Sequence, residues 1–163
     1  MGEKYRVAGY VKLAKWCEQS KDSAVAYHHQ YYESKFANDP KMQLIDVYID
    51  ITGNKEMRRR KEMLRLIGDC LIGKVNCIAT QTRAYLAANN EEFFFLIHFL
   101  FSLSSPVEIM TEDDNYHIDT IRDADHQKEA MKKMAADFIQ MNPNAYQTWE
   151  KNLLRAVKSR NQR

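Results

Sequence analysis

The sequence predicts an α/β fold in which a parallel sheet is covered by helices on both faces. Short segments rich in β-branched and aromatic residues alternate with longer segments of helical spacing. Breakers separate them: Asn38-Asp39-Pro40, Thr52-Gly53-Asn54, Gly73 and Ser104-Ser105-Pro106 each fall between a helical and an extended segment. The chain has 163 residues, 45% hydrophobic and 28% charged, which suits one folded unit with a single core plus a tail.

Taken in order, residues 6–13 read as the first strand. Residues 22–37 contain no Gly or Pro and read as a helix, with Asp22 or Ser23 as its cap. Residues 43–50 form a second strand. A helix over residues 56–71 follows, carrying Met63, Leu66, Ile67 and Cys70 at i, i+3, i+4, i+7 spacing and stopped by Gly73. Residues 75–79 are a third strand. Residues 90–103 are a helix whose first turn holds Glu91 and Glu92, favourable at the positive end of its dipole. Residues 107–110 are a fourth strand. From 123 to 141 and from 144 to 159 the pattern is helical, with Pro143 breaking or kinking the run.

Composition excludes several classes. No apolar run approaches the roughly 20 residues that span a bilayer, and the first residues lack the apolar core of a secretory signal, so a cytoplasmic location without membrane contact is expected. The three cysteines, Cys17, Cys70 and Cys77, have neither CxxC spacing nor a nearby His pattern and read as buried free thiols. No metal or cofactor is expected: His28-His29 is adjacent rather than i, i+4 and belongs on a helix surface. A net charge of +2 implies no particular partner. Two basic clusters, Arg58-Arg59-Arg60-Lys61 and the stretch carrying Lys151, Arg155, Lys158, Arg160 and Arg163, are either solvated helix faces or a DNA-facing surface. The apolar stretch Phe93 to Phe101 is either a wholly buried helix or one with a face for self-association.

In an open parallel sheet the active site lies at the carboxyl ends of the strands. A nucleotide site there would need a glycine-rich first loop, and neither GxGxxG nor GxxxxGK[ST] is present. A phosphoacceptor site would need clustered acids after the first strand, where this chain has Lys12 and Lys15.

The stretch Arg6-Val7-Ala8-Gly9-Tyr10-Val11-Lys12-Leu13-Ala14-Lys15 resembles the opening of serine site-specific recombinases of the resolvase and invertase family, RVAxYxRVST. Further blocks follow in the same order. Asp46-Val47-Tyr48-Ile49-Asp50-Ile51-Thr52-Gly53, then Arg60, then Asp69-Cys70-Leu71-Ile72-Gly73-Lys74-Val75-Asn76 are similar to the family's VYxDxGxSG, RPxF and DxxxGKID segments. Gln81-Thr82-Arg83-Ala84-Tyr85-Leu86-Ala87-Ala88-Asn89 occupies the place of the KSxSRFARN loop. The resemblance implies a resolvase-like three-layer fold, with a mostly parallel sheet of four or five strands and a C-terminal helical segment. It divides the chain into a catalytic-type domain over residues 1–122 and a helical segment over 123–163, which in the family dimerises subunits and leads to DNA. The family's downstream DNA-binding domain is expected to lie outside this chain.

In the family a serine attacks a DNA phosphodiester while arginines stabilise the charge building on the phosphate. Here the serine position is Ala14, whose methyl cannot attack phosphorus. The preceding arginine is Lys12, and the two loop arginines fall on Tyr85 and Ala88, leaving Arg60 as the family arginine retained. The resemblance therefore implies a catalytically inactive relative, associated with a mobile element in a bacterium, that acts by homodimerising, by joining a related recombinase or by contacting duplex DNA. The alternatives are an active recombinase with a substitute nucleophile, Thr82, Ser20 or Cys17, and an interaction module with no DNA role. Arg60 itself reads either as a relic of phosphate contact or as a basic residue on an exposed helix face. Asp50 either borders the old site or caps the next turn. The DNA-binding candidates are Arg60, Lys151, Arg155, Lys158 and Arg160.

Overall fold

β1, Tyr5–Leu13, is flanked on both sides, by β2 (Met42–Ile51) and by β3 (Cys77–Thr80), and β4 (Glu108–Thr111) closes the order β2-β1-β3-β4 in a computed structural model that describes residues 3–113 and 117–161. All three pairings are parallel. The sheet thus has four strands, and the sole antiparallel pairing among the described residues is a single bridge from Met110 to Asp119. That bridge belongs to a return segment which covers the outer edge of β4: Thr111 N donates to Ile118 O and Thr120 N to Ile109 O.

Parallel neighbours need crossovers, and helices supply them. α1 (Lys21–Phe36) joins β1 to β2, α2 (Lys61–Leu71) joins β2 to β3, and α3 (Arg83–Leu86) with α4 (Asn90–Phe101) joins β3 to β4. The two-residue period of β1 sends Val7 and Val11 to the α1 side, where they pack with Tyr32 and Phe36. Ala8 and Tyr10 point to the other side, into the core built with Met63, Ile67 and Leu96. Helices on both faces bury both sides of the sheet, as expected for three layers. α5 (Glu129–Met141) follows a π-helical turn at Ala124–Lys128, and α6 (Pro143–Asn161) follows α5. Both pack back over α4, and α6 also over α2. They cover the aromatic stretch of α4: Phe94 stacks on Phe138, and Phe95 and Phe99 meet Trp149. The stretch is core. Among the described residues no helix is long and apolar enough to cross a membrane.

Helix ends follow local chemistry. α2 stops in a Schellman turn, with Lys74 N on Asp69 O, Gly73 N on Cys70 O and Gly73 at φ 78°. Pro143 opens α6, where its missing N–H is no loss, and Asn142 Oδ1 accepts from Ala145 N. α2 starts at Lys61 and not at Glu56, because Met57–Arg59 forms a 3-10 turn first.

Three expectations are corrected. Arg60 is not on an exposed helix face but 1% exposed. His28 is not on the helix surface; it is buried in α1, and its Nδ1 has no partner among the described residues. Cys17 is only partly buried, whereas Cys70 and Cys77 are buried and their thiols pushed up by it.

Burial holds the His28 imidazole below its ordinary pKa of 6.5. The unfolded chain therefore binds a proton here before the folded one does. Its contribution to stability is full above pH 6.5 and falls as pH drops from there toward the lowered folded value. His28→Leu should flatten that segment of the stability profile, measured by urea unfolding between pH 7 and pH 5.

Gly9 is required by packing. A Cβ there would lie 2.8 Å from the Tyr32 ring, which rests flat on β1. Gly9→Ala should cost about 1–3 kcal/mol, the usual penalty for overpacking, read as a fall in the urea midpoint.

Candidate functional site

The register of β1 and β2 sets Lys12 beside Asp50, and strand periodicity places both on the Tyr10 side of the sheet, facing the start of α2. Asp50 is 5% exposed. Its Oδ1 accepts from Glu62 N at 2.9 Å, and its Oδ2 accepts from Met63 N at 2.9 Å and from the Tyr10 hydroxyl at 2.8 Å. The carboxylate thus caps α2, a helix whose own N-cap residue, Arg60, makes no side-chain cap bond. Burial and the Asp50 charge push the Tyr10 hydroxyl up, so it stays a donor.

Arg60 lies beside this cap. Its Nε donates to Asn54 O at 3.2 Å and its Nη2 to Lys55 O at 2.7 Å. Its Nη1 donates to Tyr85 O at 2.7 Å and to Leu86 O at 3.2 Å. The guanidinium therefore ties the loop after β2 to α3 through backbone carbonyls and turns its planar fork inward. Lys12 is half-buried in the same group; burial lowers its pKa, Arg60 and Lys55 add repulsion, and Asp50 opposes them.

Lys12, Arg60 and the Tyr85 backbone thus converge with Asp50 and Lys55. Ala14 sits exposed at the carboxyl end of β1, its carbonyl accepting from Cys17 N at the start of the 3-10 helix Lys15–Ser20. Ala88 is exposed in the link from α3 to α4 and makes none of these bonds. Neither hydroxyl weighed as a substitute nucleophile bonds a base: Ser20 Oγ donates to Cys17 O, and Thr82 Oγ1 accepts from Ala84 N at the start of α3. Among the described residues no cluster of three or more His, Cys, Asp or Glu could hold a metal.

The basic residues divide differently. Arg58 and Arg59 are exposed, both paired with Glu56. Lys151, Arg155 and Lys158 are exposed on α6 and Arg160 is half-buried there. Arg163 lies outside the described residues. Leu153 and Val157 anchor α6 in the core, and α6 packs against both α2 and the Met57–Arg59 turn. The two basic segments, about 90 positions apart in sequence, thus lie on elements that pack against each other.

The strand order, the helices on both faces and the helical C-terminal segment define a resolvase-like α/β fold. Among solved structures the chain is similar to the N-terminal catalytic domain of TP901-1 integrase, with a TM-score of 0.59 and 16% identity over 86% of this chain and 98% of that one. No family model and no curated protein matches the sequence. At that identity the likeness establishes the fold.

Proposed function

We propose that this chain is a serine recombinase-type domain that has lost strand-exchange chemistry and acts by contact, binding duplex DNA through its basic side and associating with a second copy or a related recombinase. The observation that carries this reading is what stands at the family's catalytic positions. Ala14 offers no nucleophile, Tyr85 and Ala88 offer no guanidinium, and the fork of Arg60 is occupied by four backbone carbonyls. Losing one oxyanion donor alone costs about 3–4 kcal/mol of barrier lowering, so these positions are unfit for phosphoryl transfer. The fold around these positions is kept, and α6, with exposed Lys151, Arg155 and Lys158, packs against the Met57–Arg59 turn, with exposed Arg58 and Arg59.

Incubating the protein with duplex carrying crossover sites of the family type should yield no protein-linked strand on a denaturing gel. A covalent adduct would refute the proposal. DNA binding should weaken steeply as salt rises, and replacing Lys151, Arg155 and Lys158 together by alanine should reduce the slope of log K against log salt by about 2–3. A salt-insensitive or undetectable interaction would leave only the protein-contact part standing.

A further inference from the structure

The cleft between the start of α4, the return segment after β4 and the front of α5 takes no part in that reading. Its volume is about 740 Å³. That lies within the roughly 300–1,000 Å³ of sites that take small organic molecules. Ala130, Met131 and Met134 of α5 line it together with Phe93 and Phe94 of α4. Met134 is 49% exposed and Ala130 is exposed beside it, so apolar surface of the lining is open to a ligand.

An uncommon turn builds part of the wall. Lys128 N donates to Asp123 O, five residues back, in the π-helical turn Ala124–Lys128 that contributes His126 and Gln127 to the lining. Single π-helical turns are rare and recur at functional sites. Gln127 fastens this turn to the return segment: its Oε1 accepts from Asp119 N at 2.7 Å, and its Nε2 donates to His117 O at 3.1 Å. The wall is therefore set before a ligand enters, which lowers the ordering cost of binding.

Arg83 supplies the sign. The described residues that line the cleft include no Asp, Glu or Lys, and Arg83 is the one fixed charge among them. Its backbone N donates to Asp113 Oδ2, but its half-buried guanidinium has no carboxylate partner among the described residues. The guanidinium carbon stands 5.5 Å from the centre of the Phe93 ring. That contact acts through the charge and leaves the N–H fork for an acceptor. His126 is turned instead to Asp123, with Nδ1 3.1 Å from Oδ1.

An apolar lining with one such guanidinium suits a ligand that has an apolar body and a single carboxylate, because a carboxylate meets the planar fork with two parallel hydrogen bonds. Methionine sulfurs and phenyl rings together favour a flat aromatic body. We propose that this cleft binds a small aromatic monocarboxylic acid, its carboxylate accepting from the Arg83 guanidinium and its ring lying against Met131 and Met134.

The test is calorimetric titration of the full chain with benzoate, phenylacetate and cinnamate up to about 10 mM, a range that reads millimolar binding. The amide of each acid and the aliphatic acid hexanoate serve as comparisons. At least one aryl acid should bind with 1:1 stoichiometry, more tightly than hexanoate and about tenfold or more tighter than its own amide. Arg83→Gln should bring that acid down to the affinity of its amide and leave the amide unchanged. Met134→Glu places a carboxylate in the lining from an exposed position, so the variant should fold normally by circular dichroism while acid binding falls at least about tenfold. Failure of all three acids to bind, equal binding of acid and amide, hexanoate binding as tightly as the aryl acids, or unchanged affinity in either variant would each overturn the proposal. So would a chain that sediments as a dimer and is made monomeric by Met134→Glu, since a second copy then covers the cleft.

Discussion

Arg60→Ala is expected to lower the free energy of unfolding by about 3–5 kcal/mol, read from the urea midpoint at constant slope. The substitution removes the donor from four carbonyl oxygens, that of Leu86 in the interior and those of Asn54, Lys55 and Tyr85 partly buried. It also leaves a void where one of the largest fully buried side chains was. Against a typical total of about 5–15 kcal/mol this is a large share of the whole. Arg60→Lys should recover less than half of the loss, because an ammonium is a point donor and cannot span carbonyls on two separate segments. A cost below about 1 kcal/mol for the alanine variant would refute the clamp and return Arg60 to the list of DNA contacts.

Asp50→Asn should cost about 2–4 kcal/mol by the same measurement. The shape is conserved, but Glu62 N and Met63 N donate to different oxygens of the carboxylate. Either orientation of the amide sets an NH₂ group against a backbone donor. Tyr10 gives the internal check. Its hydroxyl donates to the same carboxylate, so a double-mutant cycle of Asp50→Asn with Tyr10→Phe should show coupling of about 1 kcal/mol or more. Additive losses would mean that the helix cap and the tyrosine are held independently.

These two residues show how far the sequence could be read. Strand β1 was legible because both of its faces are apolar and its segment is bounded by polar residues on either side. The end of α2 was legible because Gly73 is a local signal. Asp50 read either as bordering the site or as capping the next turn, but its partner is the first turn of α2, more than ten residues onward, and no short-range pattern ties a strand carboxylate to a helix start. Arg60 read either as a phosphate contact or as a residue on an exposed helix face, and its role as an interior clamp was hidden for a related reason. It stands in a run of four basic residues, which by composition looks like a solvated face, and the carbonyls of Tyr85 and Leu86 that bury it come from 25 and 26 residues away. His28 and Tyr32 escaped because the apolar residues of α1 do not form a clean stripe. Only its docking on β1 and β2 decides which side goes inward. The tally of Ala14, Lys12, Tyr85 and Ala88 came from likeness to a family, and the geometry that gathers Lys12 and Tyr85 round Arg60 was invisible in the chain itself.

The position of β1 also bears on how the protein is made. Of the four strands the first to be synthesised is an interior one, and both of its neighbours are encoded later, β3 ending only at Thr80. At roughly 5–20 residues per second, a growing chain exposes the β3 edge of β1 for an interval on the order of 3–13 s. An apolar strand with unpaired amides is then open to the wrong neighbour, including the same strand of another nascent chain. Slow translation upstream of Cys77 would lengthen that exposure, and chaperones that shield extended apolar segments would be most needed before the third strand emerges.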